Sequence, residues 1–222
     1  MLRSCIFIVY LLLSISSYAQ IKKTRIPFGS ANADSTRVIG ISGSFASFGY
    51  IDHVTIGLHL ELFGLSEMVV NGYEEESPDS NLIVSIRNSK AGKRIYGINI
   101  SGMGFFNRGS DITGLSINGM ASVVRKCNGI AITGLFNYAQ LHNGIQLSAV
   151  GNSADILRGI QLSLGVNLSD YRSTGLQIAV MNKATDHCGL QIGILNRTKK
   201  LKGLQLGIWN INGKRKFPLI NW

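Results

Sequence analysis

The chain repeats itself at a spacing too short for any one copy to fold alone. Each copy opens with glycine, then Leu or Ile, a polar or small residue, Leu or Ile, and a small residue. The opening glycines are Gly97, Gly114, Gly129, Gly144, Gly159, Gly175, Gly189 and Gly203, separated by 17, 15, 15, 15, 16, 14 and 14 residues. Copies this short bury a core only by stacking on their neighbours. Fainter copies open at Gly40 and Gly57, which makes about ten.

Inside a copy the residues alternate between two faces. Leu190, Ile192 and Ile194 share one face, and Gln191, Gly193 and Leu195 share the other. A period of two is the strand signal. Helical spacing is absent from the rest of the chain, and glycine recurs too often for stable helices. Hydrophobicity assigns Leu and Ile to the core, at roughly 1.5–3 kcal/mol per buried side chain. That leaves the glutamine column, Gln146, Gln161, Gln177, Gln191 and Gln205, facing solvent. Polar stretches between copies, such as 168–172 and 196–200, read as turns.

The fold class is therefore all-β, with a repeat architecture. A β-solenoid of about ten short coils is the favoured form, and an antiparallel meander or outer-membrane β-barrel is the alternative. Two features favour the solenoid. A duplicated single strand is equivalent to its neighbour only when the two run parallel. Stacked parallel copies also turn the glutamine column, and asparagines such as Asn152, Asn167 and Asn182, into amide ladders. A barrel would need interfacial aromatic girdles, yet aromatics make up only 8% of the chain.

Residues 1–19 read as a signal peptide. Arg3 precedes an apolar stretch, and Ser17-Tyr18-Ala19 fits a small-x-small cleavage site. The stretch is shorter than the roughly 20 residues that span a bilayer. Residues 20–36 form a lead-in, and 37–222 a single β-repeat domain with an inserted loop at about 64–94. That insert carries Glu74, Glu75, Glu76 and Asp79. The predicted location is an exported one: periplasm, outer membrane or cell surface of a Gram-negative bacterium.

Charge and cysteine narrow the classes further. The formal net charge is +10, and the stretch 183–222 holds eight basic residues against Asp186 alone. Without interleaved aromatics or a reading helix, this charge does not suggest nucleic-acid binding. Cys127 and Cys188 lie four copies apart, roughly 19 Å along a stack at about 4.8 Å per strand. That exceeds the reach of a disulfide, so two free thiols are expected.

The closing copies resemble a bacterial surface-repeat family first named in Leptospira and common in Bacteroidetes. The residues that carry the resemblance are Gly189-Leu190-Gln191-Ile192-Gly193, Gly203-Leu204-Gln205-Leu206-Gly207 and the basic tail ending Leu219-Ile220-Asn221-Trp222. The resemblance runs over about 37–222 and is weaker before Arg94. It implies an exported protein and supplies no catalytic residues.

No catalytic, metal or cofactor constellation emerges from the sequence. His53, His59, His142 and His187 lack metal-ligand spacing. His142 and His187 read as turn residues, and His59 with Glu61 as part of a polar outer face. Asp111, Asp155, Asp170 and Asp186 fall in turns and form no carboxylate pair of the kind a glycosidase needs. The expected function is an exported structural or binding module without catalytic activity. The alternatives are an outer-membrane barrel and, more weakly, a glycan-active β-helix enzyme. The candidate binding face comprises Gln146, Gln161, Gln177, Gln191, Gln205, Met181, Leu195 and Trp209. Its partner stays open between a cell-surface glycan, an envelope protein and another copy, with a membrane only in the barrel case.

Overall fold

The computed structural model describes residues 23–32, 34–47, 52–64, 84, 91–213 and 215–222. The leader expected at 1–19 and most of the insert expected at 64–94 lie outside the described residues.

The described chain is nearly all strand, wound into stacked parallel coils. The elements are β1 (Lys23–Arg25), β2 (Phe28–Ser30), β3 (Thr36–Ser47), β4 (His53–Gly64), β5 (Lys93–Asn118), β6 (Ala121–Thr133), β7 (Phe136–Ser148), β8 (Gly151–Ser163), β9 (Val166–Ile178), β10 (Met181–Ile192), β11 (Leu195–Ile211) and β12 (Lys216–Asn221). From β3 to β11 every element pairs in parallel with its sequence neighbour. The repeat glycines stand in one column: Gly129 pairs with Gly144, Gly144 with Gly159, and Gly189 with Gly203. Parallel neighbours in an open stack are a β-solenoid of about ten coils. They rule out the antiparallel meander and the barrel.

Each coil has two arms and two corners. The repeat glycine makes the first corner with φ between +123° and +148° in all ten copies, a region that only glycine enters freely. Its neighbours impose a second restriction. A Cβ added to Gly159 would fall inside the contact radius of the Gly144 carbonyl oxygen, and the same holds up the column. Pro27 fills this place in the first rung, where its carbonyl accepts from the Ile41 N–H at 2.7 Å. The lead-in is thus part of the stack, with β1 and β2 lying parallel on β3.

Asparagine ties the second corner. Asn152 Nδ2 donates to Asn167 Oδ1 in the next coil at 3.0 Å and to the Leu162 carbonyl across its own corner at 2.8 Å. Asn137, Asn167, Asn182 and Asn196 repeat this pattern. The stretches expected as turns at 168–172 and 196–200 lie within β9 and β11. They form the first arm of a two-armed coil. The four aspartates assigned to turns are also in strands.

The faces are inverted relative to the expectation from hydrophobicity. The glutamine column is fully buried, while Leu190, Ile192 and their counterparts are only half-buried on the outside. Glutamine tolerates the interior because its copies satisfy one another. Gln161, Gln177, Gln191 and Gln205 each donate to the Oε1 of the preceding glutamine at 2.7–2.8 Å. A buried amide with its bonds made costs little, whereas an unpaired one costs several kcal/mol. The space between the arms is narrow, and Ala139, Ala154, Ser169 and Ala184 pack opposite the amides. Gln161 and Gln146 reach across it to backbone carbonyls of the facing arm.

At the last coil, β12 runs antiparallel to β11. Asn221 Nδ2 donates to Gln205 Oε1 at 3.0 Å and so terminates the glutamine ladder.

Candidate functional site

The ionisable interior is the first place where chemistry could reside. Repeat alternation points Ser42, His59 and Asn99 into the same column that glutamine fills later. In the early coils this column meets a charged group. Ser42 Oγ lies 2.7 Å from His59 Nδ1 and 2.8 Å from Thr55 Oγ1. His59 Nε2 lies 3.5 Å from Glu61 Oε2, and Lys93 Nζ is 3.4 Å from the same oxygen. The order serine, histidine, carboxylate matches a nucleophilic relay. All of these side chains are buried, so no substrate carbonyl can approach Ser42 Oγ. His59 and Glu61 are therefore inside, not on a polar outer face.

Burial governs these groups electrically. It pushes the His59 imidazole down to about 4, with Lys93 acting in the same direction and Glu61 against it. It also lowers Lys93, which Glu61 partly restores. The histidine is neutral at pH 7, and Glu61 is left to pair with Lys93. His142 and His187 are buried as well, in β7 and β10 rather than in turns, and burial pushes each down to about 4. Cys127 and Cys188 are free thiols. Burial raises Cys127 to about 12, which makes it a poor nucleophile.

The predicted binding face does not survive as a surface. Gln146, Gln161, Gln177, Gln191 and Gln205 are sealed inside. Met181 and Leu195 are half-buried near the asparagine corner, and of that set only Trp209 is exposed. The true outer surface of the second arm is aliphatic. One residue after each of the ten glycines stands Ile or Leu. Three residues after, Ile or Leu stands in nine coils and Gly43 in the other. A third column carries Met103, Met120, Val150, Val180, Ile194 and Ile208, which are 41–66% exposed. No outward position in these columns carries a charge.

The outer surface of the first arm is the polar counterpart. Lys183, Arg197 and Lys199 point outward there. At the glycine corner Arg172, Thr174, Asp186, His187, Lys200 and Lys202 line a cleft of about 470 Å³. A neighbouring group joins the Tyr138 hydroxyl to Asp155 at 3.1 Å, with Arg108 stacked 5.3 Å from the Tyr138 ring. Burial lifts Asp155 to about 6.

Among the described residues no group of His, Cys, Asp and Glu has the arrangement of a metal site. No helix among them is long and apolar enough to cross a membrane. No protein-family model, curated protein or solved structure matches the chain.

The aliphatic face was visible in the sequence as alternate Leu and Ile. Its outward direction was not, because alternation alone does not say which alternate is inside.

Proposed function

We propose that this chain is an exported, non-catalytic structural and binding module of the bacterial envelope, acting through the aliphatic face of its solenoid. One observation carries the reading: a charge-free surface runs along all ten coils, with Ile or Leu at every position of its first column and at all but Gly43 of its second. Soluble monomers rarely expose contiguous apolar patches beyond a few hundred Å². The likeness of the closing copies to a surface-repeat family and the leader at 1–19 support export.

Fractionation of producing cells tests the reading. The parent chain is expected in the envelope fraction, and Ile160→Lys with Ile178→Lys is expected to release it with its circular dichroism unchanged. Lys183→Ser with Arg197→Ser, on the polar arm, is expected to leave retention intact. Equal retention of both variants would sink the reading.

The basic cleft favours a second reading, an acidic glycan held by Arg172, Lys200 and Lys202. It predicts binding of an acidic polysaccharide that Arg172→Ser with Lys202→Ser reduces at least tenfold. Unchanged binding would remove it.

A further inference from the structure

We infer that the aliphatic face is covered by a second copy of this chain, packed sheet on sheet across a two-fold axis. This rests on the reading of that face as the interaction surface, and it names the occupant.

Size is the first argument. Ten coils at about 4.8 Å give a face roughly 48 Å tall. Its three outward columns, about 6.6 Å apart, make it roughly 15–20 Å wide. That corresponds to about 700–900 Å² per copy, or about 1,600 Å² buried in a pair, the standard size of a stable interface.

Shape is the second. In-register stacking sets the Ile and Leu columns as parallel ridges, which is the surface that two sheets interdigitate in a sandwich at about 10 Å separation. The face is self-complementary, because each column repeats the same residue types along its length. A two-fold axis through its centre, near Ile132 and Leu147, brings each half of the face against the other half of the partner copy.

Charge placement decides between a second copy and a lipid surface. A membrane-seated face gains from cations that flank it and turn toward the headgroups. Here Lys183, Arg197 and Lys199 extend from the opposite arm, and at the glycine corner beside the aliphatic columns the residue before the glycine is a cation in only two of the ten coils, Arg158 and Lys202, so no row of cations flanks the face. Face-to-face pairing leaves the basic arms of both copies in solvent on the two outer sides, where their repulsion is smallest.

Sedimentation of the purified full chain tests the inference. At about 10 μM it is expected as a dimer. Leu147→Lys with Leu162→Lys is expected to weaken the dimer at least 100-fold while melting temperature and circular dichroism stay within error of the parent. A second measurement does not depend on lysine tolerance. In a Cys188→Ser background, Leu147→Cys is expected to form an intermolecular disulfide under mild oxidation, and Lys183→Cys on the far arm is not.

A parent chain that sediments as a monomer and binds phosphatidylcholine vesicles overturns the dimer but leaves the face as the interaction surface. A monomer that binds no vesicles, with the Ile160 and Ile178 lysine variants retained in the envelope as well as the parent, overturns both. A dimer that the face lysines leave intact, with crosslinking at residue 183 instead of 147, places the interface on the other arm and also overturns the inference.

Discussion

The early coils and the late coils share one backbone and differ in what fills it. From β7 onward two interior columns are amide, five glutamines and a run of asparagines, each column hydrogen-bonded from coil to coil. Between β3 and β6 the glutamine column holds Ser42, His59, Asn99, Ser116 and Ala131 instead, beside a charged cluster around Glu61 and an apolar cluster of Ile95, Phe105, Ile112, Val124 and Cys127. The glycine corner is identical in both halves. Coil geometry is thus fixed by glycine and by backbone pairing, while the interior accepts any chemistry that satisfies itself. The ladder extends by copying one residue, whereas the cluster needs several different residues placed together. This matches the sharp repeats of the late coils and the blurred ones of the early coils.

Acid is expected to break both halves and to have the largest effect. His59, His142 and His187 have folded values near 4, against 6.5 when unfolded. The unfolded chain takes up these protons first, so stability is complete above pH 6.5 and falls as pH drops toward 4. Each histidine contributes up to about 3 kcal/mol to this loss. Asp155 opposes it, because its raised folded value near 6 favours the folded state as pH falls through that range. Chemical denaturation at pH 7, 5.5 and 4.5 measures the balance. A flat profile would show that the histidines are solvated. His142→Leu with His187→Leu should flatten the part of the profile that belongs to the late coils.

Glu61→Ala tests the early half alone. It strands Lys93 in the interior and is expected to cost about 3–5 kcal/mol. Gln177→Leu tests the late half. It leaves Gln161 Oε1 and Gln191 Nε2 without their ladder partners, at about 2–4 kcal/mol for two buried polar groups. Denaturant midpoints compare the two. A cost below 1 kcal/mol for Gln177→Leu would show that the ladder fills space without needing its bonds. Ile192→Ser, on the outer face, is expected to cost the isolated chain less than about 1 kcal/mol. Hydrophobicity read from sequence would rank Gln177→Leu and Ile192→Ser in the opposite order.

The stack itself was legible. The glycine spacing announced ten copies, and the recurring Gln and Asn implied parallel register with amide ladders. Three things were not legible, each for a physical reason. Alternation separates faces without naming the inner one, and a transfer scale prices Gln191 as if its amide went unpaired. A run such as 196–200 looks like a turn because its outward Arg197 and Lys199 are charged, although the alternating Asn196 and Thr198 are buried in β11. The cluster of Ser42, His59, Glu61 and Lys93 joins residues from three coils across an insert, so no local spacing reveals it. One signal for the inverted faces was present: an exposed column has no physical need to keep glutamine in five successive copies.

The antiparallel strand β12 has a consequence for handling the protein. A stack of identical rungs has no intrinsic length, and its final rung offers open hydrogen-bonding groups to any strand that arrives. Here β12 folds back along that edge, with Asn221 occupying the amide acceptor that a further glutamine would take. Removing β12 would uncover that edge and invite rung-by-rung growth into fibres, so this antiparallel strand acts as a stop for the stack.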